Sequence, residues 1–191
     1  MEGFCMEQKI PDNFRRLCEY HCPRYEELPH IALYKDQVVS VLNEAVSPFY
    51  PHGETPVTAT MVNNYVKMKL LSPPEKKKYS TEQIACLYVI FLLKQVLSIS
   101  EIAALLHMQQ SKYETSYAYG RFCEELEAAL RAAFATQSDV GADAAPSSPE
   151  AELLRAAVRS FAYKAYAVKA LELLSAGKGT KKSTDANAPE A

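Results

Sequence analysis

Apolar residues recur at three- and four-residue intervals along most of this chain, the period of helices that bury one face. Leu33, Val38, Val41, Leu42 and Ala45 make such a stripe within Ile31–Val46, and Ile84, Leu87, Tyr88, Phe91 and Leu92 make another after Ser80. Tyr119, Cys123, Leu126, Leu130 and Ala133 step by 4, 3, 4 and 3, and Leu154, Val158, Phe161, Ala165 and Val168 step identically. Proline divides these stretches, at 11, 23, 29, 48, 51, 56, 73 and 74 and then not again until 146. Helix interiors exclude it.

The pattern predicts an irregular N-terminal arm over 1–30, with a short helix around Asn13–Tyr20. A helix over Ile31–Val46 and a loop over Ser47–Pro56 follow. Thr58 is a competent N-cap for a short helix running to Met68. The double proline at 73–74 makes Leu71–Tyr79 a turn or small β-hairpin. Ser80 restarts a helix with Glu82 and Gln83 in its first turn, and Ser98 or Ser100 caps another reaching through Glu101 to Leu106. A longer helix spans about Lys112–Phe134. Residues 136–149 are small and polar, a linker, and 150–174 form a strong helix with Pro149 at its start and acids ahead of bases. Residues 175–191 are expected to be a disordered tail.

These elements group as an arm (1–30), a domain (31–107), a long helix with dimerisation in view (108–135), a linker (136–149), a C-terminal helix (150–174) and a tail (175–191). The two 4-3-4-3 seams each suit another helix. Each covers only two heptads, so packing within the chain and packing across a dimer both stay open.

Composition narrows the function classes. The chain has 191 residues, 48% of them hydrophobic, enough for a buried core and too apolar for wholesale disorder. No apolar run approaches the roughly 18–20 residues of a membrane span, and the first residues lack a secretory pattern. The expectation is a cytoplasmic protein with no membrane partner. Five cysteines are expected to be thiols, the odd number arguing against a closed disulfide framework. Cys18, His21 and Cys22 offer three ligands where structural zinc wants four, so no metal is expected. Phosphate-loop, GxSxG, HExxH and CxxC patterns are all absent, and His21, His30, His52 and His107 are scattered. Neither an enzyme nor a cofactor is indicated.

Charge is more informative in its distribution than in its sum of −2. Residues 1–56 carry 5 basic and 9 acidic groups, 57–79 carry 5 and 1, 80–135 carry 4 and 6, and 136–191 carry 7 and 7. The locally basic stretch is 57–79. On a helix over Thr58–Met68, Met61, Val62, Tyr65 and Val66 face one way, while Thr60, Asn63, Asn64 and Lys67 face the other. Amides that pair with adenine, a hydroxyl and a cation are what a helix in a major groove presents. A solvated polar face has the same composition. Lys76, Lys77 and Lys78 follow on a proline-started turn, placed as a wing that reaches phosphates.

Here the sequence resembles MerR-type regulators. VTATMVNNYVKMKLLSPP is similar to the recognition helix and the start of the wing in that family, at Val57, Thr58, Met61, Val62, Tyr65, Leu70, Leu71 and Pro73. YSTEQIACLYVIFLLKQVLSISEIAALL is similar to the stretch that follows, at Tyr79, Ser80, Ile84, Leu87, Ile90, Ser98, Glu101, Ile102, Leu105 and Leu106. It departs where the family has arginine (Asn63), its first tyrosine (Asn64) and a glycine (Lys69), and its wing is shorter. LPHIALYKDQVVSVLNEAV with this core also resembles an uncharacterised family of small bacterial proteins of unknown function.

The resemblance implies an all-α, MerR-like winged helix-turn-helix with a short two-stranded wing and appended C-terminal helices. It implies sequence-specific binding of double-stranded DNA in transcriptional regulation, by a homodimer paired through the long helix. Thr58, Thr60, Asn63, Asn64, Lys67, Lys69, Lys76, Lys77 and Lys78 are the expected contacts. A protein–protein interaction adaptor on a winged-helix scaffold is the alternative. Tyr113, Tyr117, Tyr119, Tyr163 and Tyr166 would line a pocket for a small-molecule effector, although aromatics at helical spacing also make core.

Overall fold

A computed structural model describes residues 12–51, 53–134 and 148–179. They form helices α1 (Asp12–Cys18), α2 (Lys35–Val46), α3 (Ala59–Lys67), α4 (Thr81–Leu93), α5 (Ile99–Gln110), α6 (Thr115–Phe134) and α7 (Pro149–Gly179). Two short strands, β1 (Leu33–Tyr34) and β2 (Lys78–Tyr79), pair antiparallel with Leu33 opposite Tyr79 and Tyr34 opposite Lys78. The protein is predominantly helical, as the periodicity predicts. Most of the expected linker and tail lies outside the described residues. The part of the tail at 175–179 is instead the end of α7.

Helix α4 is the centre. Every residue from Gln83 to Leu93 is buried, so the expected one-sided stripe is a helix enclosed all round. Ser80 starts it with a capping box: the Gln83 N–H donates to Ser80 Oγ at 3.4 Å, and the Ser80 N–H donates to Gln83 Oε1 at 2.9 Å. Ser98, rather than Ser100, caps α5 in the same way with Glu101.

Of the expected arm over 1–30, the described residues 12–30 are packed into the fold. Leu17, Cys22 and Leu28 are buried, α1 packs on α6 and α7, and the Tyr20 hydroxyl donates to the Ala45 carbonyl at 2.8 Å. The apolar residues of this segment are spaced too irregularly to register as a stripe, yet Leu17, Cys22 and Leu28 fill the core. The predicted helix over Ile31–Val46 also begins later. Gln37 Oε1 accepts the Tyr34 N–H at 2.9 Å, which starts α2 at Lys35, and Leu33–Tyr34 is drawn into the sheet with β2. Lys78–Tyr79, expected as part of a short two-stranded wing, thus pairs with the strand ahead of α2.

Both 4-3-4-3 seams are used within the chain. Tyr119, Cys123, Leu126, Leu130 and Ala133 of α6 are buried, as are Leu154, Val158 and Phe161 of α7, and the two helices pack together. Phe161 meets Phe49 edge-on at 5.0 Å, and Phe14, Phe134 and Tyr166 cluster at 5.2–5.5 Å. Tyr119 is core, whereas Tyr117, Tyr163 and Tyr166 are exposed.

Candidate nucleic-acid interface

Helix α3 is seated by three devices. The Thr58 hydroxyl accepts the Met61 N–H at 3.2 Å, which satisfies one of the free donors of the first turn. The hydroxyl proton remains available to a further acceptor. Val62 and Tyr65 are buried, Tyr65 meeting Phe91 edge-on at 5.5 Å. Ahead of the helix, Asn43 on α2 grips Val57 in both directions: its Nδ2 donates to the Val57 carbonyl at 2.9 Å, and the Val57 N–H donates to its Oδ1 at 3.0 Å. With its apolar side held in this way, α3 turns Thr60, Asn63, Asn64 and Lys67 to solvent, and all four are exposed. The expected division of this helix into two faces is the observed one.

The helix ends in a Schellman motif. The Lys69 N–H donates to the Val66 carbonyl and the Leu70 N–H to the Tyr65 carbonyl, each at 3.0 Å. That geometry needs a left-handed residue after the cap, and Lys69 supplies it with φ 59°. Glycine takes this conformation without penalty, while a residue with a side chain pays about 1–2 kcal/mol.

The lysine turn repeats the choice. Glu75 and Lys78 bridge antiparallel around Lys76 and Lys77, whose φ values are 47° and 65°. Two consecutive left-handed residues make a type I′ turn, which strongly prefers Asn-Gly. Lys69, Lys76 and Lys77 are the only non-glycine residues with positive φ among the described residues. All three are exposed lysines in the basic stretch. None of the described ion pairs involves Lys67, Lys69, Lys76 or Lys77.

Lys78 is placed differently. It lies half-buried on β2 with its ammonium 5.0 Å from the centre of the Tyr34 ring, a cation–π arrangement. Lys67 and Lys69 border one surface hollow and Lys76 and Lys78 a second. The two hollows adjoin through Ser72, Pro73 and Gln83. Gln83 fixes that shared wall, its Nε2 donating to the Ser72 carbonyl at 2.7 Å and to Ser72 Oγ at 3.1 Å. Glu75 and Glu82 are the acids that border these hollows.

Sequence reading missed three residues that shape this surface. Asn43 sits on a helix with no visible task until Val57 folds onto it. Gln83 shows in sequence only as a first-turn residue of α4. Tyr34 falls inside what reads as helix and is instead a half-exposed aromatic on β1. One departure from a helix-turn-helix is plain: α2 and α3 are joined through residues 47–58, including a 3-10 turn at Ser47–Phe49, where that motif uses three or four residues.

A family model described as a domain of unknown function (DUF1836) matches residues 23–122, from the segment after Cys22 into α6. No curated protein and no solved structure matches the chain. Among the described residues no helix is long and apolar enough to cross a membrane.

Proposed function

We propose that this chain, which belongs to the DUF1836 family of domains of unknown function, binds double-stranded DNA through α3 and the lysine turn. Thr60, Asn63, Asn64 and Lys67 meet base edges in the major groove. Thr58, Lys69, Lys76 and Lys77 contact phosphates, and Lys78 with Tyr34 flanks them. In this reading α2 and α3 act as the two helices of a winged helix-turn-helix, with a lengthened connection, and the turn acts as its wing.

The observation that carries the reading is the choice of lysine at three of the four positive-φ positions among the described residues, the fourth being Gly53. Folding favours glycine or asparagine there, so cations retained at a cost in stability point to a role in contact with something anionic. Phosphates spaced along a duplex suit several unpaired cations ranged about one helix.

A regulator of this kind would act on a two-fold operator as a dimer. The α6 seam already holds α7 and α1, so a dimer would use a different face. The test is titration of a labelled genomic duplex with the full chain at several salt concentrations. The expected result is affinity falling log-linearly with salt, and Asn63→Ala and Asn64→Ala reducing discrimination between duplexes. Absence of binding to any duplex at low salt overturns the reading. Salt-insensitive capture of a protein through Ile31, Tyr34 and Met68, which are all exposed apolar groups, would favour the adaptor alternative.

A further inference from the structure

Away from the basic surface, the core holds a pair of thiols in contact. Cys22, in the irregular segment after α1, and Cys123, on α6, are both fully buried. The Cys22 thiol donates to Cys123 Sγ at 2.9 Å. A disulfide requires about 2.05 Å between sulfurs, so an approach of roughly 0.9 Å would join them. The polar groups around the pair fix both sides of it. The Cys22 N–H donates to Glu127 Oε1 at 3.0 Å, the Cys123 thiol lies 3.6 Å from the Pro23 carbonyl, and Arg24 pairs with Glu127 at 2.8 Å.

We propose that Cys22 and Cys123 form an oxidisable dithiol, a modification site that a peroxide converts to an intramolecular disulfide. Cys123 is the attacking sulfur. The Cys22 S–H, and beyond it the Arg24 guanidinium, lower its pKa, whereas burial pushes Cys22 up. The Cys123 thiolate attacks one oxygen of hydrogen peroxide. An S–O bond forms, the O–O bond breaks, and the departing hydroxide takes the proton that Cys123 released, leaving as water. Cys22 sulfur then displaces the second oxygen: the S–S bond forms, the S–O bond breaks, and the Cys22 proton leaves with that oxygen as a second water. Two thiols are oxidised by two electrons and one peroxide is reduced to two waters.

Access comes through the cover. Cys22 belongs to a stretch outside any helix or strand. The groups over it are Arg24, His21 and Glu127, whose side chains are 34%, 58% and 11% exposed. The Arg24 and His21 side of these contacts is partly hydrated while Glu127 is buried, so peroxide reaches the pair when the irregular stretch around Cys22 opens locally, short of global unfolding. The consequence is topological. Cys22 and Cys123 stand immediately outside residues 23–122, so the bond closes the family unit into a covalent ring. Closing a loop of about 100 residues removes much of the unfolded chain's freedom.

The experiment treats the purified full chain with hydrogen peroxide, followed by peptide mapping without reduction, thiol counting in denaturant and thermal melting with and without reductant. The expected result is a Cys22–Cys123 cross-linked peptide, a fall from five thiols to three, and a melting temperature higher by on the order of 10 °C that reductant reverses. Cys86→Ser keeps the cross-linked peptide and the reversible melting shift, with thiols falling from four to two, and Cys22→Ser abolishes all three signals. Five thiols persisting after peroxide, or a bond mapped to Cys18 and Cys22, overturns the proposal; the mapping on the unmutated chain decides this even if a cysteine variant folds poorly.

Discussion

Replacing the three left-handed lysines separates folding from binding, because the two respond in opposite directions. Lys69→Gly, Lys76→Gly and Lys77→Gly install at each left-handed position the residue that takes it without penalty, as a Schellman motif and a type I′ turn allow. A left-handed residue with a side chain costs about 1–2 kcal/mol, and glycine's greater freedom in the unfolded chain takes back about 0.5–1 kcal/mol. The net gain is about 0.5–1 kcal/mol per site, or roughly 1.5–3 kcal/mol for the triple variant if the adjacent pair adds. At a urea slope of about 2 kcal/mol per molar, that moves the unfolding midpoint up by about 1 M. Removing three phosphate-neutralising groups flattens the logarithmic salt slope of duplex binding by about 2.7 per protomer. Urea melts and salt-dependent anisotropy titrations on the same preparations measure both. A triple variant no more stable than the parent refutes the strain argument. A stabilised variant that binds with an unchanged slope would falsify the assignment of these lysines to phosphates.

Asn43→Ala leaves the Val57 N–H and carbonyl without their partners, and is expected to cost about 1–3 kcal/mol in urea melts; a loss under 0.5 kcal/mol would mean that α3 is seated by its apolar side alone. Phe161→Ala empties a fully buried site against Phe49 and should cost about 3–5 kcal/mol, read by calorimetry, and a change below 1 kcal/mol would show that α7 is peripheral. Glu27, held down first by the Arg24 N–H, Glu101, by the Ser98 hydroxyl, and Glu150, by Lys112, all lie below the ordinary carboxylate value of 4.5. A lowered folded pKa gives stability that is present above the unfolded value and lost as pH falls through the folded one. The melting temperature should therefore stay level near neutrality and decline below about pH 4.5, and a decline beginning near pH 6 would contradict this.

What the sequence made legible is what adjacent residues decide. Thr58, Ser80 and Ser98 are caps because their hydroxyls meet amides three residues on, and α3 divides into its two faces by its own periodicity. The β1–β2 pair was not legible, because Leu33 has a helix-like neighbourhood and its partner Tyr79 lies far along the chain. Nor was the enclosure of α4, since Ala85, Cys86 and Val89 complete its circumference against elements that meet only in three dimensions. The left-handed lysines left one trace, Lys69 standing where the resembling family has glycine. Lys76 and Lys77 left none, because lysine has no preference that announces a type I′ turn.

The long connection between α2 and α3 has a consequence for altering this protein. Tyr50 is tied by its hydroxyl to the Phe91 carbonyl at 2.9 Å, and the Pro56 carbonyl accepts from Lys94 Nζ at 3.1 Å. Between those anchors Pro51, Gly53, Glu54 and Thr55 are exposed. Since the clamp from Asn43 lies beyond them, the pose of α3 does not depend on their length. Each doubling of such a loop costs only about 0.6 kcal/mol in closure entropy. The bend is thus a splice point, where a fluorophore-bearing or affinity sequence can be inserted close to α3 without disturbing how that helix is held.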